Sequence, residues 1–251
     1  MATEQTTDIK DIWDEGVDSE IQYWKDVFLG AEGPYPIYYE EMMARCDPDA
    51  PVPEYIAAHV PKDKIIGNAK ILDVAAGPVS CVGWQINGER PQVTAIDALA
   101  DQYGEILKEA KIVPPIDTFR CDGEDIKDRF KPESFDLVHI RNALDHCYDA
   151  MAVVRNMLQV LTPGGKLLIC GHTDEAEFGK YDGLHQWNIR GEGGDVIIWR
   201  PGVRHSLKET FADQIEWASV DQSDEGRWTS AILCKKASLG GVDKVSDPQS
   251  D

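Results

Sequence analysis

Acidic residues and histidines recur in this chain just after short apolar runs. Asp73 sits in Ile71-Leu72-Asp73-Val74 and is followed by Ala75-Ala76-Gly77-Pro78-Val79-Ser80. A turn of small residues lets backbone N–H groups approach a ligand, and such donors suit a carboxylate. An acidic side chain beside them suits an ammonium. Asp97 ends Val93-Thr94-Ala95-Ile96, where a carboxylate can accept hydrogen bonds from paired hydroxyls. Asp122 follows Cys121 and precedes Gly123-Glu124. Farther on, Asn142-Ala143-Leu144-Asp145-His146-Cys147 offers His146 as a general base with Asp145 as its partner, or else a pair that only caps a helix start. His172, in Gly171-His172-Thr173-Asp174, is a second candidate base, or part of a solvated loop. The stretch Tyr181-Asp182-Gly183-Leu184-His185-Gln186-Trp187-Asn188 crowds aromatic rings, an imidazole and amides. Tyr181, His185 and Trp187 there suit stacking and hydrogen bonding to a polar ligand such as a sugar, or else form a structural corner. His146, His172 and His185 could meet Asp145 or Asp174 in space, but no HxH, HxxxH or CxxC spacing supports a metal, so none is expected.

These residues need strands to position them. From Lys70 onward apolar strand-like runs alternate with helical patterns, which implies a parallel sheet. Strands are predicted near 70–75, 92–97, 116–121, 135–140 and 166–171, with helices near 80–88, 99–111, 124–129 and 148–161. Thr162-Pro163-Gly164-Gly165 should stop the last helix and turn the chain into Lys166-Leu167-Leu168-Ile169-Cys170. Residues 172–194 are polar and Gly-rich and read as an insertion near a site. A strand at Val196–Trp199, a helix at 203–212 and strands at 214–220 and 228–236 follow. The tail 238–251 is Gly-, Ser-, Asp- and Pro-rich and is expected to be disordered.

Residues 1–68 form a separate N-terminal region, with amphipathic helices carrying Ile12, Trp13, Ile21, Trp24, Val27 and Phe28. Prolines, including Pro34, Pro36, Pro48 and Pro61, break it into pieces. Its aromatics include Trp13, Tyr23, Trp24, Tyr35, Tyr38 and Tyr39; most should be ordinary core, with Trp24 a candidate substrate contact. His59, His139 and His205 read as packing or surface residues.

The chain has 251 residues, 25 basic and 45 acidic, for a formal charge of −20. A field of that sign repels phosphate backbones, so a nucleic-acid partner is not expected. The opening segment MATEQTTDIKDIWDEG lacks the apolar core of a secretory leader, and no apolar run is long enough to span a bilayer. The six cysteines are scattered, with no CxxC pair, as expected of reduced thiols in a cytoplasmic protein.

Five segments, ILDVAAGP, TAIDAL, CDGEDI, FDLVHIRNALDHCYD and VLTPGGKLLI, each lie at a predicted strand edge. In this order they resemble the class I S-adenosylmethionine-dependent methyltransferases. The family's GxGxG turn keeps only Gly77 here, with Ala75 and Val79 at the first and third glycine places. The nicotinamide-binding fingerprint GxGxxG is absent from this turn. The resemblance implies a Rossmann-like doubly wound α/β fold. Its sheet would be seven-stranded and mostly parallel, with the last strand antiparallel, over residues 69–237, beneath an N-terminal helical lid. It also implies a cofactor site made of Asp73, Ala75, Gly77, Pro78, Asp97, Ala98, Asp122, Gly123, Arg141 and Asn142, with Asp122 near the adenine. GLHQWN resembles a stretch of methyltransferases from bacterial surface-polysaccharide gene sets. The implied activity is methyl transfer to a small polar acceptor, O-methylation of a sugar first. S-Adenosylhomocysteine would be the product, and the enzyme a monomer or homodimer. N- or S-methylation of an amino acid or small amine, or a non-catalytic cofactor-binding module, are the alternatives.

Overall fold

The computed structural model describes residues 9–30 and 36–237. Pro34, Tyr35 and the tail expected to be disordered, 238–251, lie outside the described residues. The N-terminal part holds α1 (Ile9–Leu29), α2 (Pro36–Arg45) and the single turn α3 (Glu54–Ala57). Then come β1 (Lys70–Val74), β2 (Gln92–Asp97), α4 (Ala100–Ala110), β3 (Thr118–Arg120) and α5 (Ile126–Arg129). β4 (Phe135–Arg141), α6 (Ala150–Val160), β5 (Leu161–His172) and α7 (Glu175–Phe178) follow. The chain ends with β6 (Asn188–Glu192), β7 (Asp195–Arg200), β8 (Val203–Ser206), α8 (Leu207–Thr210), β9 (Ile215–Ser223) and β10 (Trp228–Lys235).

Seven strands form one sheet in the order β3-β2-β1-β4-β5-β10-β9. Strands β1 to β5 pair in parallel, while β10 runs antiparallel to both β5 and β9. This is the doubly wound α/β sheet expected from the sequence, with its last strand reversed. The strand order changes direction between β1 and β4, which opens a crevice beyond their C-terminal ends.

Parallel strands buried on both faces explain the near-continuous apolar runs. Successive side chains of β1 serve opposite faces: Ile71 packs with Val52, Ile56, Val60 and Val82, while Leu72 packs with Val153, Met157 and Leu158 of α6. Helix α1 touches the α6 core only through Ile9. Its Val27 and Phe28 pack on Tyr103, Ile106 and Leu107 of α4, and Met42 of α2 closes the same cluster. Among the described residues no helix is long and apolar enough to cross a membrane. No disulfide joins the cysteines, and Cys147, Cys170 and Cys234 are buried.

Three elements differ from the sequence expectation. No helix forms at 80–88; the chain there is a string of turns. Gly83 (φ +77°), Asn87 (φ +51°) and Gly88 (φ +84°) occupy the left-handed region, which a right-handed helix excludes. A side chain at Gly83 would come within 2.4 Å of the Pro51 carbonyl oxygen, so residues 50–52 take the place of a helix on that face. Thr162–Gly165 do not form a free turn but open β5, bulging against Asp136, whose carbonyl oxygen would lie 3.0 Å from any Cβ at Gly165. The helix expected at 203–212 is the strand β8 followed by one turn, because Pro201-Gly202 makes a hairpin (Gly202 φ +79°) and Ser206 then caps α8 by accepting from Glu209 N. With β6 and β7 this strand makes a second, antiparallel sheet between β5 and β9, and its Ile189, Val196 and Ile198 share the core of α6.

Candidate active site

A cavity of about 680 Å³ lies over the crevice at the ends of β1 and β4. Its floor at one end is the β1–β2–β3 rim. All ten residues expected at the cofactor site line it: Asp73, Ala75, Gly77, Pro78, Asp97, Ala98, Asp122, Gly123, Arg141 and Asn142.

The turn after β1 owes its shape to two left-handed residues, Ala75 (φ +49°) and Gly77 (φ +67°). Nothing lies within 4 Å of where a Cβ would stand at Gly77, so its backbone faces open space. Asp97 anchors this turn: Oδ2 accepts from Gly77 N at 2.9 Å and Oδ1 from Leu99 N at 2.8 Å. Burial pushes the Asp97 carboxyl up to about 6, against the two backbone donors. Asp122 is half-buried, and burial, with the Asp125 charge, raises its pKa as well. Asp73 lines the same cavity but is largely enclosed. It is 1% exposed, Oδ1 lies 2.7 Å from His139 Nδ1, and Oδ2 accepts from Ser80 Oγ at 2.6 Å. Its oxygens are spent inside the fold, and His139 is the satisfied core residue the sequence suggested, with Tyr55 Oη 3.3 Å from its other nitrogen.

Histidines line the same cavity. Leu144–His146 form one 3-10 turn after β4, and the loop 181–187 descends onto it. Asp145 Oδ2 lies 2.7 Å from His185 Nδ1 and 3.5 Å from His146 Nε2, and the two imidazole nitrogens are 3.1 Å apart. Burial works against the charge on Asp145, but the imidazoles of His146 and His185 hold its carboxyl below the usual range. Burial likewise disfavours charge on His185, yet the Asp145 carboxylate keeps its pKa above the ordinary histidine value. His172 is exposed at the end of β5, with its ring edge-on to Trp228 at 5.1 Å and its backbone N–H donating to Asn142 Oδ1 at 3.1 Å. The Arg141 guanidinium lies 5.4 Å from the same Trp228 ring.

Of the expected substrate contacts, Trp24 and His185 line the cavity. Tyr181 and Trp187 do not. Tyr181 Oη accepts from Asn188 Nδ2 at 2.9 Å, and Trp187 is buried in the core with Ile189 and Ile198. Asp174 also turns away from the histidines, with Oδ1 accepting from Arg190 Nε and Trp199 Nε1. Sequence reading missed Glu20, Glu41, Arg45 and Trp228 on the cavity wall. The i, i+4 spacing of Glu20 and Trp24 was a usable signal: Trp24 Nε1 donates to Glu20 Oε1 at 2.8 Å.

Comparison with known proteins agrees with this geometry. Residues 72–169 match the family described as "Methyltransferase domain". The ubiquinone/menaquinone biosynthesis C-methyltransferase UbiE of Shewanella woodyi is 32% identical over 105 residues, covering 40% of this chain and 41% of that protein. The enzyme of the same name from Idiomarina loihiensis is 24% identical over 180 residues, 65% of this chain and 71% of that one. The chain thus spans about two fifths of the relatives it matches first, at 41% of their length. Among solved structures, phosphoethanolamine N-methyltransferase 2 of Haemonchus contortus superposes with a TM-score of 0.51 at 14% identity, covering 92% of this chain and 61% of that one, and supports the fold alone. Over the matched residues 72–169, and in its sheet order and the rim after β1, this chain is similar to the class I S-adenosylmethionine-dependent methyltransferases.

Proposed function

We propose that the chain transfers a methyl group from S-adenosylmethionine to a small polar acceptor that gives up a proton in the reaction. Hydroxylated metabolites such as sugars are the first class to test. The observation that carries this reading is one cavity lined both by the Gly77–Asp97–Asp122 rim and by His146, His172 and His185.

The rim fits a nucleoside bearing an amino-acid tail. Asp97 keeps lone pairs for ribose hydroxyls beyond its two backbone bonds, and Asp122 and Gly123 offer polar contacts to a base edge. The open backbone at Gly77 leaves room for a carboxylate. The bound cofactor supplies a methyl group on a sulfonium. The protein's share is to hold the acceptor in line with it, exclude water and accept a proton. Trp24, Tyr38 and Met42 of the N-terminal helices roof the cavity, and Trp228 with Arg141 gives a ring and a cation against which a polar acceptor can rest. A neutral imidazole on this wall, His172 foremost, takes the proton. An amine acceptor needs only to be neutral and a thioether needs no base, so the histidines favour an acid. A module that only bound the cofactor would have no use for them.

A carbon acid is the second reading, because the relatives are named C-methyltransferases and a base serves an enol as well as a hydroxyl. The test is S-adenosylhomocysteine release across hydroxylated metabolites, carbon acids, amines and thioethers, with the product's new methyl located by NMR. A proton-losing acceptor whose turnover depends on pH through His172 supports the reading. Turnover of amines or thioethers alone, unaltered in His172→Ala, or failure to bind S-adenosylmethionine, overturns it.

A further inference from the structure

We propose that Asp145, His146 and His185 hold a divalent transition-metal ion whose remaining coordination positions face the cavity. One carboxylate oxygen and two imidazole nitrogens converge there with mutual separations of 2.7, 3.1 and 3.5 Å. An ion bound at about 2.0–2.2 Å sets neighbouring donors about 3.0–3.4 Å apart, depending on whether the geometry is octahedral or tetrahedral. The three edges bracket that span. Two imidazoles and one carboxylate on one side, with the other side open, is a donor set for zinc, iron, cobalt or manganese rather than magnesium.

The scaffold is braced to keep the three together, although 39 and 40 residues separate His185 from His146 and Asp145 along the chain. The Asp145 carbonyl oxygen accepts from both Gln186 N, at 3.0 Å, and Trp187 N, at 3.2 Å. Gln186 is buried and its side-chain amide donates to the carbonyls of Tyr181 and Gly183. Leu184 meets α1 at Gly16, where an added Cβ would come within 2.8 Å of its Cδ2. Asn188 accepts from Glu177 N and donates to Tyr181 Oη. Gly183, Gln186, Trp187 and Asn188 are thus engaged in fixing the loop, while Leu184 and His185 face the cavity. Ligands locked by such outer contacts are the usual condition of a metal site.

What the ion does rests on the methyl-transfer reading; that it binds does not. An acceptor oxygen on the ion becomes more acidic, its O–H bond breaks, and the proton leaves to His172 or to water. The oxygen then forms the new O–C bond while the sulfur keeps the electron pair of the C–S bond.

The test is calorimetric titration of chelator-stripped protein with Co2+ and, separately, Zn2+, with the visible spectrum of the Co2+ form as a second readout. Wild type and His205→Gln are expected to bind one ion per chain with imidazole-type Co2+ bands. His146→Gln and His185→Gln should each weaken binding by more than the ~10–100-fold loss seen when a group that merely supports a ligand is removed. S-Adenosylhomocysteine affinity is measured in parallel to show that both variants stay folded. Equal ion binding by wild type and both variants, or none by wild type, overturns the site. Cofactor binding without an ion refutes the metal and leaves the methyl-transfer reading standing; ion binding without cofactor does the reverse.

Discussion

Asp97→Asn separates the two tasks of the rim carboxylate. Burial raises the Asp97 carboxyl from an ordinary 3.8 to about 6. A folded-state pKa above the unfolded one means that the native protein holds this proton more tightly. The stabilisation is therefore complete below about pH 3.8 and is lost as pH rises through about 6. The gap corresponds to about 3 kcal/mol of apo stability, at about 1.4 kcal/mol per pH unit. Asparagine has no proton to lose, and its amide turns a donor toward Gly77 N or Leu99 N, at a further cost of about 1–3 kcal/mol that does not vary with pH. Urea unfolding of both proteins from about pH 4 to 8 should give a wild-type-minus-variant difference that shrinks by about 2.4 kcal/mol across that range. Cofactor binding runs the other way, because the ionised carboxylate is the better acceptor for ribose hydroxyls. S-Adenosylhomocysteine affinity of wild type should rise about tenfold per pH unit below about 6 and level off above it, whereas the variant's stays flat. Stability curves that remain parallel over the whole range, or a wild-type affinity with no break near pH 6, would refute the reasoning.

Two further substitutions probe one contact outside the cavity and one on its wall. Gly83→Ala forces a left-handed alanine against the Pro51 carbonyl. It should cost about 2–5 kcal/mol in urea unfolding, summing a left-handed penalty of about 1–2 and overpacking of about 1–3; a loss under about 0.5 would show that residues 50–52 yield freely. Trp228→Ala removes the ring beside both His172 and Arg141. Turnover should fall about tenfold with cofactor affinity unchanged, as for loss of one aromatic and one cation–π contact; equal losses in both would place the ring at the donor end.

The central parallel strands β1 and β4 were legible because they are buried on both faces and mostly apolar, as in Phe135–Arg141, where every residue but Arg141 is buried. Asp97 was legible because it closes the buried half of β2 at the sheet's rim. Asp122 follows the exposed β3 and was legible only through the family resemblance. What failed was non-local. Nothing near residues 80–88 shows that Pro51 will press on Gly83, so an ordinary-looking helical stretch becomes turns. Tyr181 and Trp187 had the composition of a binding surface, but their directions depend on Asn188 and on the core of the second sheet. The meeting of Asp145 and His146 with His185 carried no spacing signal at all, because the fold rather than the local chain closes the distance.

The second sheet, β6-β7-β8, is an excursion between two strands whose pairing with the main sheet does not depend on it. The loop that leads into it brings His185 to the cavity and Leu184 to α1. One contiguous stretch of chain therefore adds His185 to a cluster whose Asp145, His146 and His172 come from the ends of β4 and β5. Exchanging that stretch between relatives is expected to alter the cluster while leaving the Gly77–Asp97–Asp122 rim as it is.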